Sequence, residues 1–320
     1  MAKNSQTKPK LGISTCLLGQ KVRYDGGHKR DYFLTEIFGP FVDWMPVCPE
    51  LEVGMGVPRE PVRLVGIAND PSMIAERSGK NWTAEMRRFG ARRAGELKRL
   101  NLSGYVLKKD SPSCGMERVK IYVRKGGATR DGRGLFATAL MNELPLMPVE
   151  EDGRLNDPVL RENFIERVFV YRRWQETASS PKSVRALVDF HTAHKFQLLA
   201  HSERHYRDLG RLVASAKQTP IAQAYAHYGR GLMQALSVAA NAKKHANVLD
   251  HMTGYFSKQL SPSERQELVE VIRDFRRQWI PLIVPVTLMR HYVKKYEIEY
   301  LLNQVYLDPS PKELMLRNHV

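Results

Sequence analysis

The sequence predicts an α/β domain with a mostly parallel sheet, followed by an all-α domain. Three observations carry this. In residues 11–150, short apolar runs alternate with a long stretch of helical period. Three cysteines each stand just past one of those runs, where open α/β sheets gather their ligands. From Ser183 onward the apolar residues recur almost throughout at helical spacing.

The strands read as Leu11–Cys16, Phe41–Cys48 ended by Pro49, Tyr105–Leu107 and Ile121–Val123. A helix is expected over Trp82–Leu100, with basic residues on one side. A further helix is expected from near Gly134, after turns at Gly126-Gly127 and Asp131-Gly132. This alternation suits a Rossmann-like arrangement. Residues 151–182 read as a connector containing a helical piece, Pro158–Glu176, and broken by Ser179-Ser180-Pro181. Helices are then expected near 183–201, 203–216, 220–240, 262–280 and 284–304, with Pro281 and Pro285 interrupting the last two. The division is a flexible N-terminus over 1–10, an α/β domain over 11–150, the connector, and a helical domain over 183–320.

At 320 residues, two domains are expected. No apolar run approaches the ~20 residues that span a bilayer, and Met1–Lys10 is polar and basic, so the expectation is a cytosolic protein without a membrane partner. Three cysteines, an odd number in a reducing compartment, argue against a disulfide framework. The net charge is +16. Residues 1–150 hold 25 Lys and Arg against 16 Asp and Glu, and residues 151–320 hold 25 against 18, so the excess is spread over both halves. Such a surface suits a polyanion, most simply nucleic acid, or belongs to a soluble basic protein without that partner.

Cys16, Cys48 and Cys114 all lie in turns flanked by Pro or Gly: Cys16-Leu17-Leu18-Gly19, Cys48-Pro49-Glu50 and Ser113-Cys114-Gly115. Buried inert thiols are one reading. A metal centre is the other, as zinc with an open fourth position or as a 4Fe–4S cluster with one iron lacking a protein ligand. Spacing alone does not choose between these.

Cys16-Leu17-Leu18-Gly19 with Tyr24-Asp25-Gly26, then Cys48-Pro49-Glu50 with Pro58-Arg59, then Ser111-Pro112-Ser113-Cys114-Gly115, together resemble the thiouracil desulfidase family over about residues 11–150. The second half, with Phe190-His191-Thr192-Ala193-His194-Lys195, Asn247–Gly254 and Pro281–Pro285, is similar to the helical domain often fused behind it, and the fused form resembles the desulfidases that act on 4-thiouridine in tRNA. The resemblance implies a 4Fe–4S cluster on Cys16, Cys48 and Cys114, and a non-redox exchange of thiocarbonyl sulfur for oxygen with release of sulfide. It also implies active-site roles for Glu50 as the carboxylate and Ser111 as the hydroxyl. Tyr24, Ser113, Lys108 and Lys109 are the further candidates for contact with substrate near that site.

In the second half, basic residues interleave with aromatic ones. Lys195, Arg204, Lys243 and Lys244 are the candidate RNA contacts. His191, His194, His201 and His205 fall near one helical stripe, and core or surface histidines are the expectation there rather than a metal site. The reading that follows is a tRNA 4-thiouridine desulfidase. Its alternatives are a desulfidase of free 2-thiouracil or another small thiolated base, and a non-catalytic iron–sulfur or zinc RNA-binding protein.

Overall fold

A computed structural model describes residues 8–123 and 126–319. The chain divides into two units, with the boundary between Asp157 and Pro158. The first contains β1 (Lys10–Ser14), β2 (Asp43–Val47), α1 (Pro49–Glu52), β3 (Val62–Ile67), β4 (Asp70–Ala75), α2 (Thr83–Arg99), β5 (Gly104–Leu107), β6 (Val119–Tyr122), β7 (Ala128–Gly132), α3 (Leu135–Glu143) and β8 (Val149–Glu151). The second contains α4 (Pro158–Ser179), α5 (Val184–His201), α6 (Glu203–Ala214), α7 (Ile221–Ser237), α8 (Ala242–Thr253), α9 (Pro262–Arg276), α10 (Ile283–Lys295) and the short α11 (Glu299–Leu302).

The predicted parallel sheet is present. Its order is β2-β1-β5-β8, and every pair is parallel. Its central strands are apolar because both faces are covered. Leu11, Ile13, Tyr105, Val106 and Leu107 are fully buried, together with Phe136 and Leu140 from α3 and Met86 and Leu97 from α2. The chain runs from β1 outward to β2, then returns to the other side of β1 to form β5. A crevice therefore opens at the carboxyl ends of β1 and β5, the switch point where such sheets bind ligands.

A second sheet, β4-β3-β6-β7, is mixed: β3 runs parallel to β6, and the outer pairs are antiparallel. Its β3, β4 and β7, like β8 of the first sheet, were not expected. The turn expected at Asp131-Gly132 is the end of β7; Gly126 and Gly127 do turn the chain, at φ +90° and +89°. The N-terminus expected to be flexible over 1–10 lies, up to residue 7, outside the described residues, and Lys10 already belongs to β1.

The helical piece expected inside a connector is the full-length α4, and the chain divides before it, so its residues count with the helical unit. Trp174 on α4 explains that allegiance, packing its ring 5.1–5.5 Å from those of Phe190, Tyr225 and Tyr228. Gly229 lets it do so, since a Cβ there would sit 2.5 Å from the indole Nε1. Ser202 interrupts the helical pattern as a cap, its hydroxyl accepting from the His205 N–H. Pro285 is tolerated in the first turn of α10, where its missing N–H has no intrahelical partner to lose. A core of Phe196, Leu249, Met252, Phe256, Leu268, Met289 and Tyr306 closes the unit.

The histidine stripe is structural. His194 and His201 are buried, and each places Nδ1 2.8 Å from a backbone carbonyl oxygen, of Phe190 and Val238. His191 meets the Tyr228 hydroxyl and His205 the Ser202 hydroxyl. Burial pushes His194 down to about 3, and it does the same to His245 on α8. Both rings are neutral in the folded unit but take up protons in the unfolded chain below about pH 6.5. Folding stability is therefore full above pH 6.5 and falls as the pH drops toward 3. Burial also pushes His191 down to about 4, so these three rings bind three protons on unfolding, each worth about 1.4 kcal/mol per pH unit. Urea titrations of the chain between pH 7 and pH 4 check this; a flat unfolding free energy over that range would contradict it.

Candidate active site

Three loops at the carboxyl ends of β1, β2 and β5 bring Cys16, Cys48 and Cys114 to the wall of one cavity of about 530 Å³. Cys16 lies in the 3-10 turn that leaves β1, closed by Gly19 at φ +88°. Cys48 caps α1, whose Pro49 fixes the first turn and sets Glu50 beside it. Cys114 sits in a loop that folds tightly under Gly134, where a Cβ would lie 2.4 Å from the Ser113 carbonyl oxygen. The Cys114 amide donates to the Ser111 hydroxyl at 3.1 Å. Cys16 and Cys114 are buried and Cys48 is half-buried.

Burial pushes the Cys16 thiol up to about 11, with Cys48 adding to the rise and Lys108 opposing it. Burial raises Cys48 and, further still, Cys114, with the other two sulfurs adding to the rise at Cys114. The three thiols are thus electrostatic neighbours that hold their protons when left to themselves. A cationic group among them would displace those protons, as metal centres do. Among the described residues, no three His, Cys, Asp or Glu side chains converge closely enough to hold a single metal ion. Three soft donors spaced around a roomy cavity fit a polynuclear iron–sulfur group.

Glu50 lies against this cavity and is held from both sides. Arg59 donates to its Oε2 from Nε at 3.1 Å and from Nη2 at 2.5 Å, and Ser113 donates to Oε1 at 2.6 Å. Arg59 is itself fixed by the carbonyls of Val22 and Gly56. Ser111 stands further off, 3.5 Å from Glu50 Oε1 and 3.0 Å from the Ser113 hydroxyl. Ser113 is thus the direct hydroxyl partner of Glu50, while Ser111 anchors the Cys114 loop. Sequence reasoning missed the role of Arg59, although Pro58-Arg59 stood within the motif.

Tyr24, Lys108 and Lys109 also line the cavity, with Tyr24 exposed at its edge. The Lys108 ammonium pairs with Asp152 at 2.8 Å with both side chains largely buried, and so braces the loop after β5. The RNA-contact candidates of the helical unit divide likewise. Arg204 and Lys243 are exposed. Lys195 lies with its ammonium 4.9 Å from the centre of the Tyr300 ring. The Lys244 ammonium donates to the carbonyls of His201 and Ala239, tying the end of α5 to the start of α8.

No helix among the described residues is long and apolar enough to cross a membrane. The family described as 2-thiouracil desulfurase matches residues 11–152, and the one described as protein of unknown function (DUF1722) matches residues 195–311. The uncharacterized protein YbgA of Escherichia coli (strain K12) is 37% identical over 134 residues, which cover 42% of this chain and 79% of that protein. The uncharacterized protein YbbK of Bacillus subtilis (strain 168) is 32% identical over 108 residues, 32% of this chain and 71% of that protein. A solved structure of a 4Fe–4S-dependent thiouracil desulfidase, TudS, is 32% identical with a TM-score of 0.38, over 47% of this chain and 94% of that one.

Proposed function

The chain belongs to the 2-thiouracil desulfurase family through residues 11–152, and from that premise we propose that it is an iron–sulfur desulfidase acting on 4-thiouridine in tRNA. The observation that carries the desulfidase reading is the convergence of Cys16, Cys48, Cys114 and the doubly held Glu50 on one cavity. The three thiolates would hold a 4Fe–4S cluster. When bound, it supplies a Lewis-acidic iron without a protein ligand, suited to the negative charge that develops on a leaving sulfur.

The rest is the work of side chains. The balance of the reaction is thiocarbonyl plus water to carbonyl plus hydrogen sulfide. Glu50 Oε1, at the cavity wall, takes the proton of the attacking water and returns it to the ring nitrogen or the departing sulfide. Arg59 fixes the other oxygen, so the carboxylate does not swing away. Ser113 aims Oε1, and Ser111 keeps the Cys114 loop in register with it. The apolar and proline-lined wall, Val47, Pro49, Val62 and Pro112, limits bulk water around the reacting carbon.

The tRNA substrate rests on the charge of +16 and on the exposed Arg204 and Lys243 of the helical unit. The family's description names the free base, which favours 2-thiouracil as a second reading. Salt separates the two. Turnover of thiolated tRNA should fall with a log–log slope of ~0.7–0.9 per phosphate neutralised, while turnover of free 2-thiouracil, which carries no phosphate, stays flat. Reversing the charge of Arg204 and Lys243 should lower that slope by about two and spare the free base. Equal flat responses for both substrates would make the free base the substrate.

A further inference from the structure

The helical unit encloses a second cavity, of about 200 Å³, between α4, the end of α5, the start of α8 and the stretch after α9. One wall is apolar, with Val159, Phe275 and Leu282; the other is a charge cluster. Glu166, fully buried, accepts from Arg317 Nη2 at 2.7 Å and faces His201 Nε2 at 3.1 Å. Burial acts to raise its carboxyl, but Arg317 and His201 overcome this and hold it well below the usual carboxylate range. Glu162, 8% exposed, meets His319 Nε2 at 2.8 Å, and its other oxygen stays 3.4 Å from Arg317 Nε without a hydrogen bond. Two carboxylates thus share one guanidinium.

His245, 7% exposed, faces the same cavity. Its Nδ1 is paired with the Tyr306 hydroxyl at 3.1 Å. The polar wall therefore sets two carboxylates against one guanidinium, an excess of negative charge that favours a cation over an anion. The volume exceeds that of the ~150 Å³ cavity that takes up benzene, so one small ring with a polar head fits. Among the described residues, no three ligating side chains converge here on an ion-sized point either.

We propose that this cavity binds a small organic cation, an ammonium or amidinium, which donates its N–H groups to the Glu162 carboxylate and lays its apolar body on Phe275 and Leu282. The site lies wholly within the helical unit and stands independently of the desulfidase reading. Titration calorimetry of the full chain with benzamidine tests it, with benzyl alcohol and benzoate as the neutral and anionic counterparts. Benzamidine should bind saturably, benzyl alcohol more weakly and benzoate not at all. Glu162→Gln should weaken benzamidine at least tenfold, since a charge-assisted hydrogen bond is lost. Ala242→Leu, which keeps every polar group but fills the space, should abolish binding even if the Glu162 variant does not fold. Absence of saturable benzamidine binding, equal binding of benzoate, or wild-type affinity in the Ala242 variant would overturn the proposal.

Discussion

Replacing Cys16, Cys48 or Cys114 by Ser, one at a time, is expected to abolish both the iron–sulfur cluster and all desulfuration. Each sulfur comes from a different loop of the switch-point crevice, and no other Cys exists in the chain to take its place. Serine keeps the size but offers a hard oxygen that binds iron poorly. The fold should survive. The sheet core beneath, Leu11, Ile13, Val47 and Tyr105, does not depend on the sulfurs, so the far-ultraviolet circular dichroism of each variant should match the parent. Iron content and visible absorption check the outcome. A variant that keeps a full complement of iron would remove that cysteine from the site.

Glu50→Gln is the second large effect, with a loss of about 10²–10⁴-fold in turnover and an intact cluster. Glutamine preserves shape, and its carbonyl can still accept from Ser113 or Arg59. It cannot take a proton from water. Loss of the carboxylate also leaves the Arg59 guanidinium, whose side chain is 6% exposed, without its counter-ion. Some loss of thermal stability should accompany the loss of rate, because breaking a buried pair strands a charge. Near-normal turnover with lowered stability would make Glu50 a structural partner of Arg59 and nothing more.

The sequence made the catalytic crevice legible because its chemistry rides on three short motifs. Each follows a strand whose apolar run is long enough to read, Leu11–Ser14, Trp44–Val47 and Tyr105–Leu107. The second sheet was not legible, for physical reasons. In β3 only Leu64 is buried, so no alternation stands out; β4 carries Pro71 and five mixed residues; β7 is exposed except at Gly132. In β8 two glutamates replace the expected apolar pair. They are tolerated because Glu150 accepts from Arg154 and Glu151 accepts from the Met116 amide, which braces the loop after Cys114.

Side-chain commitments were equally hidden. Lys108 and Lys244 read as available cations, yet one is paired with Asp152 and the other closes two helix ends through backbone carbonyls. Spacing shows where a charge is, not what it is bonded to. The cavity of the helical unit draws on residues from Val159 to His319, across several helices and the C-terminal stretch, so no local pattern announces it.

The most direct test of the central claim is anaerobic incubation of the iron-loaded chain with thiolated tRNA and with free 2-thiouracil, following sulfide. Desulfuration predicts one sulfide released for each thiocarbonyl lost, with matching decay of its near-ultraviolet absorption, and none of either from the Cys114→Ser variant. Iron-loaded protein that binds these substrates and releases no sulfide from either would contradict it.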